Sequence, residues 1–199
     1  GLFQLTFFFP IFGRSNLSTF KTKNVNRVIL VDPDNEPIGS MEKLEAHQKG
    51  LLHRAFSIFI FNDEGHLLLQ QRALTKYHSG GLWSNSCCSH PEPGEEITEA
   101  ALKRLHEELG ITTELTEVFS FIYRMEFDNG LTEHEFDHVF IGQYNGELYP
   151  DNTEVRDYCF MPIEDIKSSI EMFPDKYTTW FRIALPRLES YLTPFVTEL

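Results

Sequence analysis

The residues with most chemistry to offer are gathered in Ser84-Asn85-Ser86-Cys87-Cys88-Ser89-His90-Pro91. Cys88 stands two positions before His90. That sets a thiol, able to give or take a proton, near an imidazole able to ligate a metal. Soon after comes Arg104-Leu105-His106-Glu107-Glu108-Leu109-Gly110, with carboxylates suited to a divalent cation. Together they predict proton chemistry beside metal ions, on a phosphorylated substrate.

His47, His53, His90, Glu133 and Glu135 are the candidate metal ligands. Imidazole and carboxylate suit zinc, manganese or iron-type ions. Glu133 and Glu135 are two apart, so on a strand both carboxylates face one side and could reach one ion. Three nitrogens with two or three oxygens exceed the tetrahedral habit of zinc and point to a larger coordination number. Spacing alone leaves these as ordinary surface or loop residues just as readily. His66, His78, His106, His134 and His138 read as surface or core histidines.

Arg104 and Glu108 are four apart and share a helix face. They could be a surface ion pair. They could also divide the labour, with Glu108 on Mg²⁺ and Arg104 on phosphate oxygens, because magnesium takes few carboxylates and lets phosphates complete its shell. Lys43, Arg72 and Lys76 could add positive charge to the same cleft. Cys88 remains open between nucleophile, general acid–base group and small buried residue. In an extended segment only one of Cys87 and Cys88 faces a given cleft, and His90 then shares the side of Cys88. Tyr123 and Glu135 are the other proton-handling candidates. Trp180, in Tyr177-Thr178-Thr179-Trp180-Phe181, reads first as core or pocket wall. An indole face can also stabilise a cation, by about 0.5–2 kcal/mol.

The elements that must position these groups are strands mixed with a few helices. Strands are expected at Val28–Asp32, near Ile38, at Ala55–Phe61 and His66–Gln71 (a hairpin through Asn62-Asp63-Glu64-Gly65), and at Val118–Phe127 and Glu135–Tyr144 about an Asp128-Asn129-Gly130 turn. Helices are expected at Met41–Gly50, at Glu96–Leu109 with Gly110 as its C-terminal cap, at Ile163–Ser169, and at Thr179–Leu192 with an interruption near Pro186. The pattern implies an α+β or α/β sandwich.

The chain has 199 residues, enough for one domain with a sizeable core. A net charge of −13 argues against non-specific nucleic-acid binding, though a local basic cluster can still hold an anion. Three cysteines make no disulfide framework, so a reducing, cytoplasmic compartment is expected. Leu2–Phe12 is apolar and broken by Pro10, too short for a bilayer span and without signal-peptide features. Residues 1–24 are expected to be an extension that packs on the domain or lies disordered, and 25–199 the domain itself.

Further segments complete a pattern: Gly50-Leu51-Leu52-His53-Arg54-Ala55-Phe56-Ser57, Leu68-Leu69-Gln70-Gln71-Arg72, Trp83 to Pro91, Glu107-Glu108-Leu109-Gly110, Glu133-His134-Glu135 and Thr179-Trp180-Phe181, in that order. Over about Val25 to Leu188 the chain closely resembles the type 1 isopentenyl-diphosphate Δ-isomerases of the Nudix-fold superfamily. The resemblance implies an α/β/α sandwich of a mixed sheet flanked by helices. It also implies interconversion of isopentenyl and dimethylallyl diphosphates by protonation and deprotonation through a tertiary carbocation. By motif match, Cys88 takes the catalytic cysteine position, Glu135 its acidic partner, Tyr123 the assisting tyrosine and Trp180 the tryptophan facing the cation. His47, His53, His90, Glu133 and Glu135 take the ligand positions of a site expected to hold Zn²⁺, Mn²⁺ or Mg²⁺, and Cys88 is counted among the metal-binding residues. Glu108 takes the ligand position of a second, diphosphate-bridging Mg²⁺, and Lys43, Arg72, Lys76 and Arg104 the diphosphate positions. The implied partner is a small prenyl diphosphate, with no nucleic acid, no membrane span, and a monomer or weak dimer. One departure matters. Nudix hydrolases carry an Arg-Glu pair in mid-helix, where this chain has Lys103 and Arg104. That disfavours the alternative of a Nudix-type diphosphate hydrolase. Retention of all the matched Cys, His and Glu positions disfavours a non-enzymatic binder.

Overall fold

The computed structural model describes residues 26–76 and 78–196, so the expected extension over residues 1–24 lies outside the described residues. The chain begins with strands β1 (Arg27–Val31) and β2 (Pro37–Glu42), helix α1 (Lys43–Lys49), and strands β3 (His53–Phe61), β4 (Leu67–Arg72), β5 (Trp83–Ser84) and β6 (Cys87–Ser89). It continues with helix α2 (Ile97–Leu109), strands β7 (Thr116–Glu126), β8 (Thr132–Gln143) and β9 (Val155–Met161), and helices α3 (Ile163–Met172) and α4 (Thr179–Val196).

All nine strands among the described residues join one mixed sheet. β3 is its centre, and the reason is in its sequence: HRAFSIFIF buries side chains on both faces, which only a strand covered on both sides can do. β3 runs parallel to β8 from His53↔Glu135 to Phe61↔Gln143. It also takes β6 antiparallel at Phe56, Ser57 and Ile58. β7 pairs β8, and β9 pairs β4.

The faces carry separate apolar clusters. On one, Ala100, Ala101, Leu105 and Leu109 of α2 meet Phe56, Ile58, Ile60 and Phe140. On the other, Trp180, Phe181, Leu185 and Leu188 of α4 and Ile166 of α3 meet Phe59, Leu67, Leu69 and Val139. The result is the expected three-layer arrangement, a mixed sheet between helices. Truncating a side chain as buried as Leu105 to alanine costs about 2–5 kcal/mol in such a core.

Three features differ from the sequence reading. The β3–β4 turn forms, but the strands share only the register pair Phe61↔Leu67. Beyond it they separate, because β3 is claimed by β6 and β8 while β4 is claimed by β5 and β9. α4 passes through Pro186 without interruption. Its buried face, Phe181, Ala184, Leu185 and Leu188, anchors the turns on either side, which offsets the backbone hydrogen bond a proline gives up. β9 was not anticipated, since its Arg156, Asp157 and Tyr158 are exposed and give no apolar alternation.

Candidate active site

Short local devices aim the functional side chains. Glu42 caps α1, its carboxylate accepting from the Glu45 N–H at 2.9 Å, and Gly50 ends it in the left-handed region at φ 60°. Lys43 and His47, one turn apart, thereby share a face. α2 likewise ends at Gly110, φ 70°, whose N–H reaches His106 O. A Cβ there would stand 2.8 Å from Tyr149 Cβ, so close packing adds to the demand for glycine. α2 presents Arg104 and Glu108 together. β8 presents Glu133 and Glu135 on one side, and Tyr123 on β7 is in register with Glu135.

All the sequence-predicted site residues except His47 and His53 line one pocket of about 610 Å³. Those two lie beneath its wall, 1% and 0% exposed. Cys87 and Cys88 divide as strand alternation requires: Cys87 is buried in the α2-side cluster, while Cys88 reaches the pocket and packs against the cluster containing Trp180 and Tyr123.

The imidazoles converge. His47 donates from Nδ1 to Lys43 O at 2.7 Å, and His53 from Nδ1 to Leu51 O at 2.8 Å. A carbonyl can only accept, so in the neutral ring each Nε2 carries the lone pair and is turned inward, the orientation of a metal-ligating histidine. His53 Nε2 is 3.2 Å from His90 Nε2, which is 2.7 Å from Glu135 Oε1. His47 Nε2 is 3.2 Å from Glu133 Oε2. Donor atoms of His47, His53, His90 and Glu135 all lie within 4.8 Å of one another. His90 Nδ1 is buried without a hydrogen-bond partner among the described residues. This donor set fits a divalent cation. Cys88 belongs to neither of the two groups of close ligand atoms.

At the other end, Arg104 donates to Glu108 Oε1 at 2.5 Å and to Glu107 at 2.8 Å. Gln70 Nε2 holds Glu108 Oε2 at 3.1 Å. Lys76 is paired with Glu154, whose Oε2 is 3.6 Å from Arg104. Arg72 lies over the Trp180 ring, 5.1 Å from its centroid, and Trp180 Nε1 donates to Ser84 Oγ at 2.9 Å. Cations and a buried carboxylate thus meet where a phosphate could lie, an aromatic face beside them.

Burial and charge set the protonation states. Burial pushes the Cys88 thiol up to about 12, against the pull of Arg72, so the thiol is protonated at neutral pH. Burial would raise Glu135, but the imidazoles of His90 and His53 outweigh it and hold its pKa well below the usual carboxylate range. Burial, then the Glu135 charge, raises Glu133 to about 7. Burial, then the nearby cations Arg72 and Lys43, keeps His78 neutral, with a pKa of about 3. Desolvation raises Tyr123 well above the ordinary phenol range; its OH donates to Glu135 Oε2 at 2.6 Å.

In the pocket wall and behind it stand residues that sequence reasoning passed over. His78, read as a surface or core histidine, lines the pocket with Nε2 3.2 Å from Glu133 Oε1. Gln70, Ser84 and Glu154 contact Glu108, Trp180 and Lys76 as described. Only His78 left a signal, a ligand-type residue two positions after Lys76. The others are recognisable only once strands are paired.

The NUDIX domain model matches residues 51–181. Among curated proteins, the chain is 48% identical over 176 residues to "Isopentenyl-diphosphate Delta-isomerase" of Pectobacterium atrosepticum, covering 87% of this chain and 97% of that one. It is 51% identical over 155 residues to "Isopentenyl-diphosphate Delta-isomerase 2" of Photorhabdus laumondii, covering 78% and 88%. The chain belongs to the isopentenyl-diphosphate Δ-isomerase family, within the Nudix fold. Solved structures agree on the fold. A crystal structure from Deinococcus radiodurans matches with TM-score 0.68 at 17% identity over 81% of this chain and 98% of that one. The MutT protein of Methanosarcina mazei matches with TM-score 0.58 at 20% identity over 70% and 94%. Among the described residues no helix is long and apolar enough to cross a membrane.

Proposed function

We propose that this chain interconverts isopentenyl diphosphate and dimethylallyl diphosphate by allylic proton transfer in the pocket. The observation that carries the reading is one pocket lined by a protonated thiol, Cys88, and a buried carboxylate anion, Glu135, held by Tyr123. One protein group delivers a proton to the terminal alkene carbon, leaving a tertiary cation. The other removes a proton from the carbon on the far side of that cation, and the double bond re-forms there. The reaction is reversible, so Cys88 and Glu135–Tyr123 exchange donor and acceptor roles with direction. Trp180 supplies a π face to the cation without offering a nucleophile that would trap it.

The diphosphate undergoes no bond change, so its binding serves to position the alkene. Arg72, Lys76, Arg104 and Lys43 take that role, and Glu108 would hold a Mg²⁺ that neutralises diphosphate charge. His47, His53, His90, Glu133 and Glu135 would hold a second divalent ion, Zn²⁺, Mn²⁺ or Mg²⁺. Bound there, it supplies fixed positive charge that keeps both carboxylates ionised. Phosphoanhydride hydrolysis is disfavoured, because Lys103 and Arg104 stand where hydrolases of the fold carry Arg-Glu. The acting unit in this reading is a monomer or weak dimer. The free thiols Cys87, Cys88 and Cys159 support a reducing, cytoplasmic setting.

The test is proton NMR of isopentenyl diphosphate incubated in D₂O with metal-loaded protein. Dimethylallyl diphosphate carrying deuterium is expected, and none with Cys88→Ala, which should still bind substrate. No conversion by folded, loaded wild-type protein would refute the reading.

A further inference from the structure

We propose that His78 is a positioning residue that orients Glu133 toward the imidazole cluster and ties that cluster to the diphosphate end of the pocket. This rests on the reading of His47, His53, His90, Glu133 and Glu135 as metal ligands.

The two oxygens of Glu133 face different histidines. Oε2 is 3.2 Å from His47 Nε2, and Oε1 is 3.2 Å from His78 Nε2. His78 shares a group of close ligand atoms with His47 and Glu133 only. His53, His90 and Glu135 belong to the other group, and His47 alone is common to both. His78 thus meets Glu133 on the oxygen that does not face His47, and it stands outside the group formed by His47, His53, His90 and Glu135. That pattern suits a group that orients a ligating carboxylate. His78 Nδ1 is 3.2 Å from Ser79 Oγ. The arrangement serving both ring nitrogens has the Ser79 hydroxyl donating to Nδ1 and Nε2–H directed at the Glu133 carboxylate. Outer partners of this kind fix the direction of a ligating carboxylate.

The ring is itself fixed. It stacks on Phe127 at 5.5 Å and meets Trp180 edge-on at 5.8 Å and 87°. Its backbone carbonyl faces Arg72 Nη2 at 3.4 Å. The loop that carries it is shaped by close approaches: a Cβ on Gly80 would stand 2.8 Å from Leu74 O, and the Gly81 N–H donates to Arg72 O at 3.0 Å. Lys76 lies in the same loop. One short segment thus touches the phosphate-facing cations, the indole and a carboxylate of the metal cluster, so a change at His78 reaches both ends of the site.

The test is Mn²⁺ binding by competition with a chelating dye, with kinetics on loaded protein. Wild type, His78→Ala, His78→Gln and His53→Ala are compared. His53→Ala should abolish tight binding. His78→Ala should keep the wild-type stoichiometry while weakening affinity about 10–100-fold, the range for outer partners of metal ligands. His78→Gln, whose amide N–H can still reach Glu133, should recover part of that loss, which a merely structural role would not give. At saturating metal, the KM for the diphosphate should rise more than kcat falls. Unchanged affinity in a folded His78→Ala overturns the proposal. A loss of one bound ion per chain also overturns it, by making His78 a ligand. If wild type and His53→Ala bind equally poorly, the metal reading itself fails and takes this proposal with it.

Discussion

Tyr123 and Glu135 face each other across the β7–β8 ladder, with the phenol donating to Oε2 at 2.6 Å in a site where the two residues are only 7% exposed. Tyr123→Phe removes that one hydrogen bond and leaves the ring in place. A hydrogen bond to a charged group contributes about 1.5–3 kcal/mol. At 1.36 kcal/mol per unit, the pKa of Glu135 should rise by about 1–2 units. The sign of the pH dependence follows from the direction of the native shift. The folded pKa of Glu135 is depressed, so its stabilisation is present above the unfolded carboxylate value and is lost as pH falls through the folded pKa. In chelator, the variant should therefore be less stable at pH 7 by about 1.5–3 kcal/mol, a Tm lower by roughly 3–12 °C for a domain of this size. The gap should close as pH falls below the ordinary carboxylate range. Turnover of loaded enzyme should fall about 10–150-fold if the bond is equally needed in the transition state. Thermal melts from pH 3 to 8 and deuterium incorporation by NMR measure both. A variant melting within a degree of wild type at pH 7, with unchanged turnover, would refute the pairing of Tyr123 with an ionised Glu135.

Four further outcomes are expected. At pH 8 in metal-free protein, iodoacetamide should alkylate Cys88 about a thousandfold more slowly than an ordinary thiol, since its pKa near 12 leaves little thiolate; mass spectrometry showing rapid labelling would contradict the buried neutral thiol. Arg72→Ala should raise KM, with a weaker salt dependence than wild type, and an unaltered KM would remove Arg72 from the diphosphate site. Glu108→Gln should raise the Mg²⁺ concentration needed for half-maximal rate, whereas a superimposable titration would dismiss its ligand role. Glu154→Gln, by removing the carboxylate that neutralises Lys76, should lower KM severalfold at low salt; a higher KM would show that Glu154 orients Lys76 instead.

Much of the scaffold was legible because local physics fixes it. The spacing of Ala100, Ala101, Leu105 and Leu109, with glycine following at 110, specifies an amphipathic helix and its end wherever the chain goes. Glu133 and Glu135 could be placed on one strand face from their spacing, and Arg104 and Glu108 on one helix face. β9 was illegible because its pairing with β4, not its own composition, makes it a strand. The Pro186 region was misread because the packing of its neighbours on the sheet outweighs a local propensity.

The sequence by itself determined the chemical inventory: a thiol, imidazoles, carboxylates and cations on elements of known period, in an order that identifies the family. Only the tertiary structure decided which members of that inventory meet. The parallel pairing of β3 with β8 brings His53 beside Glu135 although they are far apart in the chain, and the docking of β6 on β3 turns Cys88 into the pocket and Cys87 into the core. The same packing put His78 against Glu133. Protonation states were decided there too, because desolvation and opposing charges depend on what surrounds a group in space, and sequence spacing carries no record of that.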